Sequence, residues 1–427
     1  YNGEDSIGLI ERVFMKKIIR ICFFLLISLS SLGPVVHAED FTVSAEHAMA
    51  IDVTSGKVLY EQNAETPVPV GSITTLLTAY LVYEAIDEGK LSMDTPVSIG
   101  DYPYSLTGTV VSNVSLEARS YTVQDLLSAM LITSANSPAI ALAEKIAGSE
   151  PAFVDMMKTK LTEWGITDAK LVNATGLKNS YLGDQRYPGS SEDEENQLSA
   201  VDVAIIARRL LLDFPQVLEI TSQYYYSFYG TSYASTNQML PEGTYGRPGV
   251  DGLKTGASET AGVSFVATLQ QKNMRILTVV LLAKEGQEYP DNRFSATNEL
   301  LDYVFNNFSR TTLVEKGSQF QSSSVDVFNG QAAHAKAVAK TELSAIIRSG
   351  STATVSAKYT EHSSILDAPV QKDQALGTLT LVDQDLIGRG YLDQQPSVEM
   401  VAAKTIPVAN WPVSWWNHFV RYVNENL

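Results

Sequence analysis

Two strongly β-prone runs, Gly262–Leu269 and Met274–Leu282, flank the turn Gln271-Lys272-Asn273. Runs joined this tightly pair antiparallel, because a parallel pair needs a crossover of a dozen residues or more. A second pair, His47–Val53 and Lys57–Tyr60, surrounds the turn residues Thr54-Ser55-Gly56 and reads as another hairpin. Together they predict a mainly antiparallel sheet of about five strands with helices on its faces, an α+β fold.

The helical signals lie mostly between these hairpins. An apolar run from Leu76 to Ile86 stops near Glu88-Gly89 and predicts a buried helix with Ser72 at its start. Thr122 and Asp125 stand at capping-box spacing before Leu126–Ile132, and Ser199 and Asp202 do the same before a helix through Leu212. Ser137 and Pro138 read as the cap and first position of a further helix running to about Gly148. An apolar helix around Leu300–Phe305 closes this part of the chain.

At 427 residues the chain exceeds one ordinary core, so two domains plus extra segments are expected. Residues 312–402 show short alternating runs separated by turn residues, which predicts a small all-β domain. The expected boundaries are 1–38 for upstream residues and a secretory signal, 39–309 for the first domain, 310–403 for the all-β domain, and 404–427 for a terminal helix. The signal reading rests on Met15-Lys16-Lys17, the apolar stretch Ile21–Leu29, Gly33-Pro34 and the small-residue site Val36-His37-Ala38. Residues 1–14 do not read as part of a mature chain.

A net charge of −17 argues against sequence-independent nucleic-acid binding. The single cysteine, Cys22, falls inside the expected signal, so a processed chain has no thiol for a disulfide, a zinc site or a nucleophile. His47, His334, His362 and His418 are scattered without ligand spacing. Neither a metal nor a cofactor is expected, and no histidine is obvious for a serine triad.

The terminal segment Trp411–Leu427 holds three of the four tryptophans. As a helix it places Val413, Trp416, Val420, Val423 and Leu427 on one side, broadened by Trp415, Phe419 and Tyr422. Asn417, Arg421 and Asn424 lie opposite. This pattern suits a helix lying in a membrane interface, with a helix docked on the protein as the alternative. Likewise, the acidic run Glu192–Glu195 reads as a solvated surface, and the tyrosine-rich stretch 221–248 reads either as a cleft lining or as packing.

Three short motifs stand out by their order and their separations of about 60 and about 120 residues. They are Ser72, the tight turn Ser134-Ala135-Asn136, and Lys254-Thr255-Gly256. Ser72 has two readings, an N-cap or a nucleophile. The set resembles the serine penicillin-recognising enzymes, whose motifs are Ser-x-x-Lys, Ser-x-Asn and Lys-Thr-Gly. The phrase Asp251–Gly256, the loop Asn173-Ala174-Thr175-Gly176-Leu177, the trailing β domain and the terminal helix narrow the resemblance. It points to low-molecular-mass penicillin-binding proteins, the serine-type D-alanyl-D-alanine carboxypeptidases of Gram-positive type.

That resemblance implies a penicillin-binding/β-lactamase-like transpeptidase fold and an acyl-enzyme on Ser72. It implies an oxyanion hole from the N–H groups of Ser72 and Ala257, and proton transfer to the leaving amine by Ser134. Asn136 would hold the substrate amide. Lys254 and Thr255 would bind the terminal carboxylate, with Gly256 letting the strand approach the substrate. The implied partners are peptidoglycan stem peptides ending in D-Ala-D-Ala, β-lactams, and a membrane surface through residues 411–427. The implied location is the outer face of the cytoplasmic membrane after export. The departure is Thr75, which replaces the family's lysine base and whose hydroxyl cannot take a proton near neutral pH. Impaired activity, or a catalytically inactive wall-peptide and penicillin-binding scaffold, is the competing expectation. A β-lactamase is disfavoured, because residues 150–200 hold no glutamate-bearing deacylation loop of the class A kind.

Overall fold

The computed structural model describes residues 41–108, 112–116, 119–260 and 262–426. The expected signal segment 1–38 lies outside them. Strands β1 (Ala45–Asp52) and β2 (Val58–Gln62) form the first hairpin. Helices α1 (Thr75–Asp87), α2 (Val123–Ile132), α3 (Asn136–Ala147), α4 (Glu150–Glu163) and α5 (Ala200–Asp213) follow. The chain then returns as β3 (Val250–Ser258), β4 (Gly262–Gln271) and β5 (Met274–Ala283), ending in α6 (Asn292–Asn307). The sheet order is β2-β1-β5-β4-β3, and every neighbouring pair is antiparallel. The two β-prone runs therefore pair as expected, and β3 is left at an edge.

Helix α1 is buried on nearly all sides, which explains its continuous apolar run. It belongs to one core with Met49 and Ile51 of β1, Leu126 and Leu127 of α2, and Leu277 and Val279 of β5. Both expected capping boxes form, Thr122 with Asp125 and Ser199 with Asp202. Helix α3 starts earlier than the Ser137-Pro138 signal suggests. Its cap is Ala135, which makes no side-chain cap bond. The Asn136 backbone N–H and Nδ2 both donate to the Ser112 carbonyl, at 3.1 and 2.8 Å, and this fixes the helix start instead.

A second core lies in the all-β part, built on Val325, Ala337, Leu379 and Met400 among others. Its strands are β6 (Phe308–Val314), β7 (Gln319–Phe328), β8 (His334–Ala339), β9 (Leu343–Arg348), β10 (Val355–Glu361), β11 (Ile365–Asp367), β12 (Ala375–Asp383) and β13 (Ser397–Ala402). Six form a sheet in the order β10-β12-β13-β8-β7-β11, while β6 pairs with β9. The two cores are joined by a buried ion pair, Lys57 Nζ to Asp383 Oδ2 at 2.7 Å. Lys57 also donates to the Ile346 carbonyl at 2.8 Å, and the Tyr391 hydroxyl donates to Asp383 at 2.6 Å.

The terminal helix α7 (Trp411–Asn426) docks by its polar side. Asn329 donates to the Ser414 hydroxyl at 2.9 Å, and Arg421 reaches Asp367 at 2.9 Å while lying over the Phe328 ring. The aromatic side remains open: Trp411 is 80% exposed and Trp415 60%. Among the described residues no helix is long and apolar enough to cross a membrane.

Candidate active site

Ser72 does not cap a helix. It lies within the tight helical turn Gly71–Thr74, which leads into α1, and neither helix start there has a side-chain cap bond. The N-cap reading is therefore excluded, and the hydroxyl is unclaimed by α1. Ser72 lines a cleft of about 420 Å³ together with Ser134, Asn136, Thr255, Gly256 and Ala257. The Ser134 backbone is left-handed (φ 62°), a conformation the short connection between α2 and α3 imposes at an energetic cost. Asn136 Nδ2 is held by Ser112, while Asn136 Oδ1 is buried with no hydrogen-bond partner among the described residues. A buried acceptor left open in this way favours a donor arriving with a ligand.

Lys254 is buried behind this wall. Its Nζ donates to Ser134 Oγ at 2.7 Å and to the Thr255 carbonyl at 2.8 Å. Burial, with a smaller contribution from the Arg293 charge, pushes its amine down to about 7. Thr255 Oγ1 donates to Thr236 Oγ1 at 2.8 Å. Gly256 lines the cleft and also has a packing reason to be small: a Cβ there would lie 2.5 Å from the Val70 carbonyl oxygen and 2.6 Å from Ile73. The segment 70–73 around Ser72 takes up that space.

Thr75 is buried, and its Oγ1 donates to the Ser72 carbonyl at 2.7 Å, the back-bond ordinary for threonine in a helix. It does not line the cleft.

Arg293 and Glu195 are among the cleft groups that sequence reasoning missed. Arg293, from the first turn of α6, lines it and donates to the Gly256 carbonyl at 3.3 Å. Burial lowers its pKa, and its Nε has no hydrogen-bond partner among the described residues. No spacing rule ties α6 to the three motifs, so the sequence carried no signal for it. Glu195 corrects the solvated-surface reading of the acidic run. Glu192 and Asp193 do form exposed ion pairs, but Glu195 is buried and accepts from Ser258 Oγ at 2.6 Å and Thr260 Oγ1 at 3.0 Å. Thr260 has no counterpart in the motifs. The tyrosine-rich stretch 221–248 contributes Thr236 to the cleft, whereas its rings pack: Phe228 stacks on Tyr121, and Tyr229 meets Tyr121 edge-on.

The model of the D-alanyl-D-alanine carboxypeptidase family matches residues 34–285, and that of the penicillin-binding protein 5 C-terminal domain matches residues 308–408. The chain belongs to the D-alanyl-D-alanine carboxypeptidase family. It is thus a low-molecular-mass, serine-type penicillin-binding protein by descent, with the fold that the motifs implied. Among solved structures this carboxypeptidase relative is similar to a peptidoglycan synthesis regulatory factor (PBP3) from Streptococcus pneumoniae. The two are 50% identical with a TM-score of 0.82, covering 86% of this chain and 100% of that one. It is also similar to penicillin-binding protein D2 from Listeria monocytogenes in its ampicillin-bound form, at 29% identity and a TM-score of 0.53 over 62% of this chain and 99% of that one. The D-alanyl-D-alanine carboxypeptidase DacA of Escherichia coli (strain K12) is 29% identical over 86% of this chain and 85% of its own length.

Proposed function

We propose that the chain removes the terminal D-alanine from peptidoglycan stem peptides through an acyl-enzyme on Ser72, and that β-lactams acylate the same oxygen. The observation that carries this reading is the shared cleft of Ser72, Ser134, Asn136, Thr255, Gly256 and Ala257, with Lys254 bonded to Ser134 at its back. Ser72 Oγ attacks the carbonyl between the two D-alanines while its proton passes toward Ser134 and Lys254. The N–H groups of Ser72 and Ala257 receive the oxyanion. The C–N bond breaks as Ser134 returns a proton to the departing amine, and water then releases the shortened peptide. Asn136 Oδ1 accepts the substrate amide N–H. Thr255 and the Arg293 guanidinium take the terminal carboxylate, a geometry to which arginine is suited. Incoming peptide lies along β3, the free sheet edge.

Thr75 favours one second reading, a binding scaffold that holds wall peptide or penicillin with little turnover, because its hydroxyl is already fastened to Ser72. The discriminating experiment measures D-alanine release from a synthetic pentapeptide, and covalent labelling by fluorescent penicillin, for the chain and its Ser72→Ala variant. Release and labelling that vanish in Ser72→Ala support the hydrolase. Neither activity in the unaltered chain supports the scaffold.

For location, we infer that α7 rests on the outer face of the cytoplasmic membrane through Trp411, Trp415, Trp416, Phe419 and Tyr422. The docking of its polar side to the β domain, which leaves the rings outward, supports this. Co-sedimentation with phospholipid vesicles that persists after the Trp415→Ser/Phe419→Ser change would refute it.

A further inference from the structure

The backbone of the nucleophile's turn rests on another segment. The loop 173–177 passes so close that a Cβ on Gly176 (φ +84°) would lie 1.8 Å from the Gly71 carbonyl oxygen. Thr78 Oγ1 of α1 donates to the Ala174 carbonyl at 2.7 Å. Asn196 Nδ2 donates both to Thr74 Oγ1 at 3.1 Å and to the Asn173 carbonyl at 2.8 Å. Gly176 and Leu177 also line the cleft. A displacement of this loop is therefore passed by direct contact to the peptide unit that precedes Ser72.

The loop is held from its far side by one carboxyl group. Glu150, the first residue of α4, is 3% exposed. Its Oε1 accepts the Ala174 N–H at 2.9 Å, and its Oε2 accepts the Tyr102 hydroxyl at 2.9 Å. The titratable groups facing it are Tyr102 of the short helix Asp101–Ser105 and Glu144 of α3, so among the described residues no cation offsets its charge. Burial, with Glu144 adding to it, pushes this carboxyl up to about 7 against the two hydrogen bonds. A carboxyl buried without a counter-ion is costly to keep, and the bond it makes is to the loop beneath the nucleophile.

We propose that Glu150 is a positioning residue for acyl transfer: by holding the Ala174 amide it presses the 173–177 loop against Gly71 and so sets where Ser72 stands in the cleft. The proposal rests on the carboxypeptidase reading above. Displacements of about 1 Å at a reacting group can slow a reaction by about 10²-fold, so a loosened loop is expected to act on rate more than on affinity.

The test compares Glu150→Ala, Glu150→Gln and Glu150→Asp, each in the native chain and in a Thr75→Lys background. Fluorescent-penicillin acylation kinetics are read alongside amide hydrogen exchange. Glutamine keeps an oxygen for the Ala174 N–H, whereas aspartate keeps the carboxyl group but withdraws it by one methylene. Glu150→Ala and Glu150→Asp are expected to acylate about ten- to a hundredfold more slowly at unchanged apparent affinity, with faster exchange confined to residues 173–177. Glu150→Gln is expected to stay within about threefold of its parent, on the same positional argument. A folded Glu150→Asp that acylates at the parent rate overturns the proposal, as does a Glu150→Gln as slow as the aspartate. If Thr75→Lys itself fails to label, the carboxypeptidase reading is what fails. The exchange data then decide for Glu150, and unchanged protection at 173–177 in Glu150→Asp counts against it.

Discussion

Lys254 Nζ lies 2.7 Å from Ser134 Oγ, while Thr75, at the position of the family's lysine, gives its hydroxyl to the Ser72 carbonyl. On the proposed mechanism Lys254 is the amine that receives the Ser72 proton through Ser134, and it can do so only when neutral. Since burial brings it down to about 7, penicillin acylation should rise about tenfold per pH unit below 7 and level off above. Lys254→Ala should lower the plateau by about 10²-fold or more. Labelling rates measured from about pH 5.5 to about pH 8.5 check both.

Restoring a dedicated base should matter more. Thr75→Lys is expected to raise D-alanine release by about 10²–10⁴-fold, the usual contribution of a positioned general base. Release from a synthetic pentapeptide measures it. An unchanged rate would mean that Lys254 already supplies the whole function.

Gly176→Ala should be severe. The residue combines φ +84° with a Cβ position 1.8 Å from the Gly71 oxygen, so neither the backbone nor the neighbour can adapt cheaply. A loss of about 3 kcal/mol or more in urea unfolding is expected, together with slowed acylation.

Much of this arrangement was legible in the sequence, and the exceptions have physical reasons. The hairpin at Gln271-Lys272-Asn273 and the capping boxes at Thr122 and Ser199 are local signals, fixed within a few residues, and each forms. The start of α3 was misread because the deciding bond comes from Ser112, which lies 24 positions away. Arg293 and Glu195 were missed for the same reason. Their roles arise from side chains that reach β3 from distant segments, Arg293 to the Gly256 carbonyl and Glu195 to Ser258, and no periodicity records such contacts. Glu195 also sits in a charge run in which Glu192 and Asp193 do face solvent.

Stability should report Glu150 independently of catalysis. Its folded value of about 7 lies above the 4.5 of an unperturbed glutamate. Between these values the unfolded chain has released a proton that the folded chain keeps, so stability falls as pH rises from 4.5 to 7 and this contribution is constant above. Glu150→Gln should flatten that slope. Melting temperatures across the window, compared between the two proteins, test the sign.

The pair Lys57–Asp383 gives a prediction about the junction of the two cores. Both side chains are at most 1% exposed, so removing one strands the other. Lys57→Met should cost about 3–5 kcal/mol, and the Lys57→Met/Asp383→Leu double variant should recover a large part of it. Denaturant titrations of the four proteins complete the cycle.

The junction also bears on how the molecule reaches its substrate. The terminal helix is bolted side-on to Asn329 and Asp367, and the β part is bolted to the rest by Lys57 and Asp383. On the interfacial reading of that helix, the protein is a stilt and not a kite on a string. The altitude of its cleft above the lipid is then a built dimension, so only wall strands passing at that height come within range of Ser72.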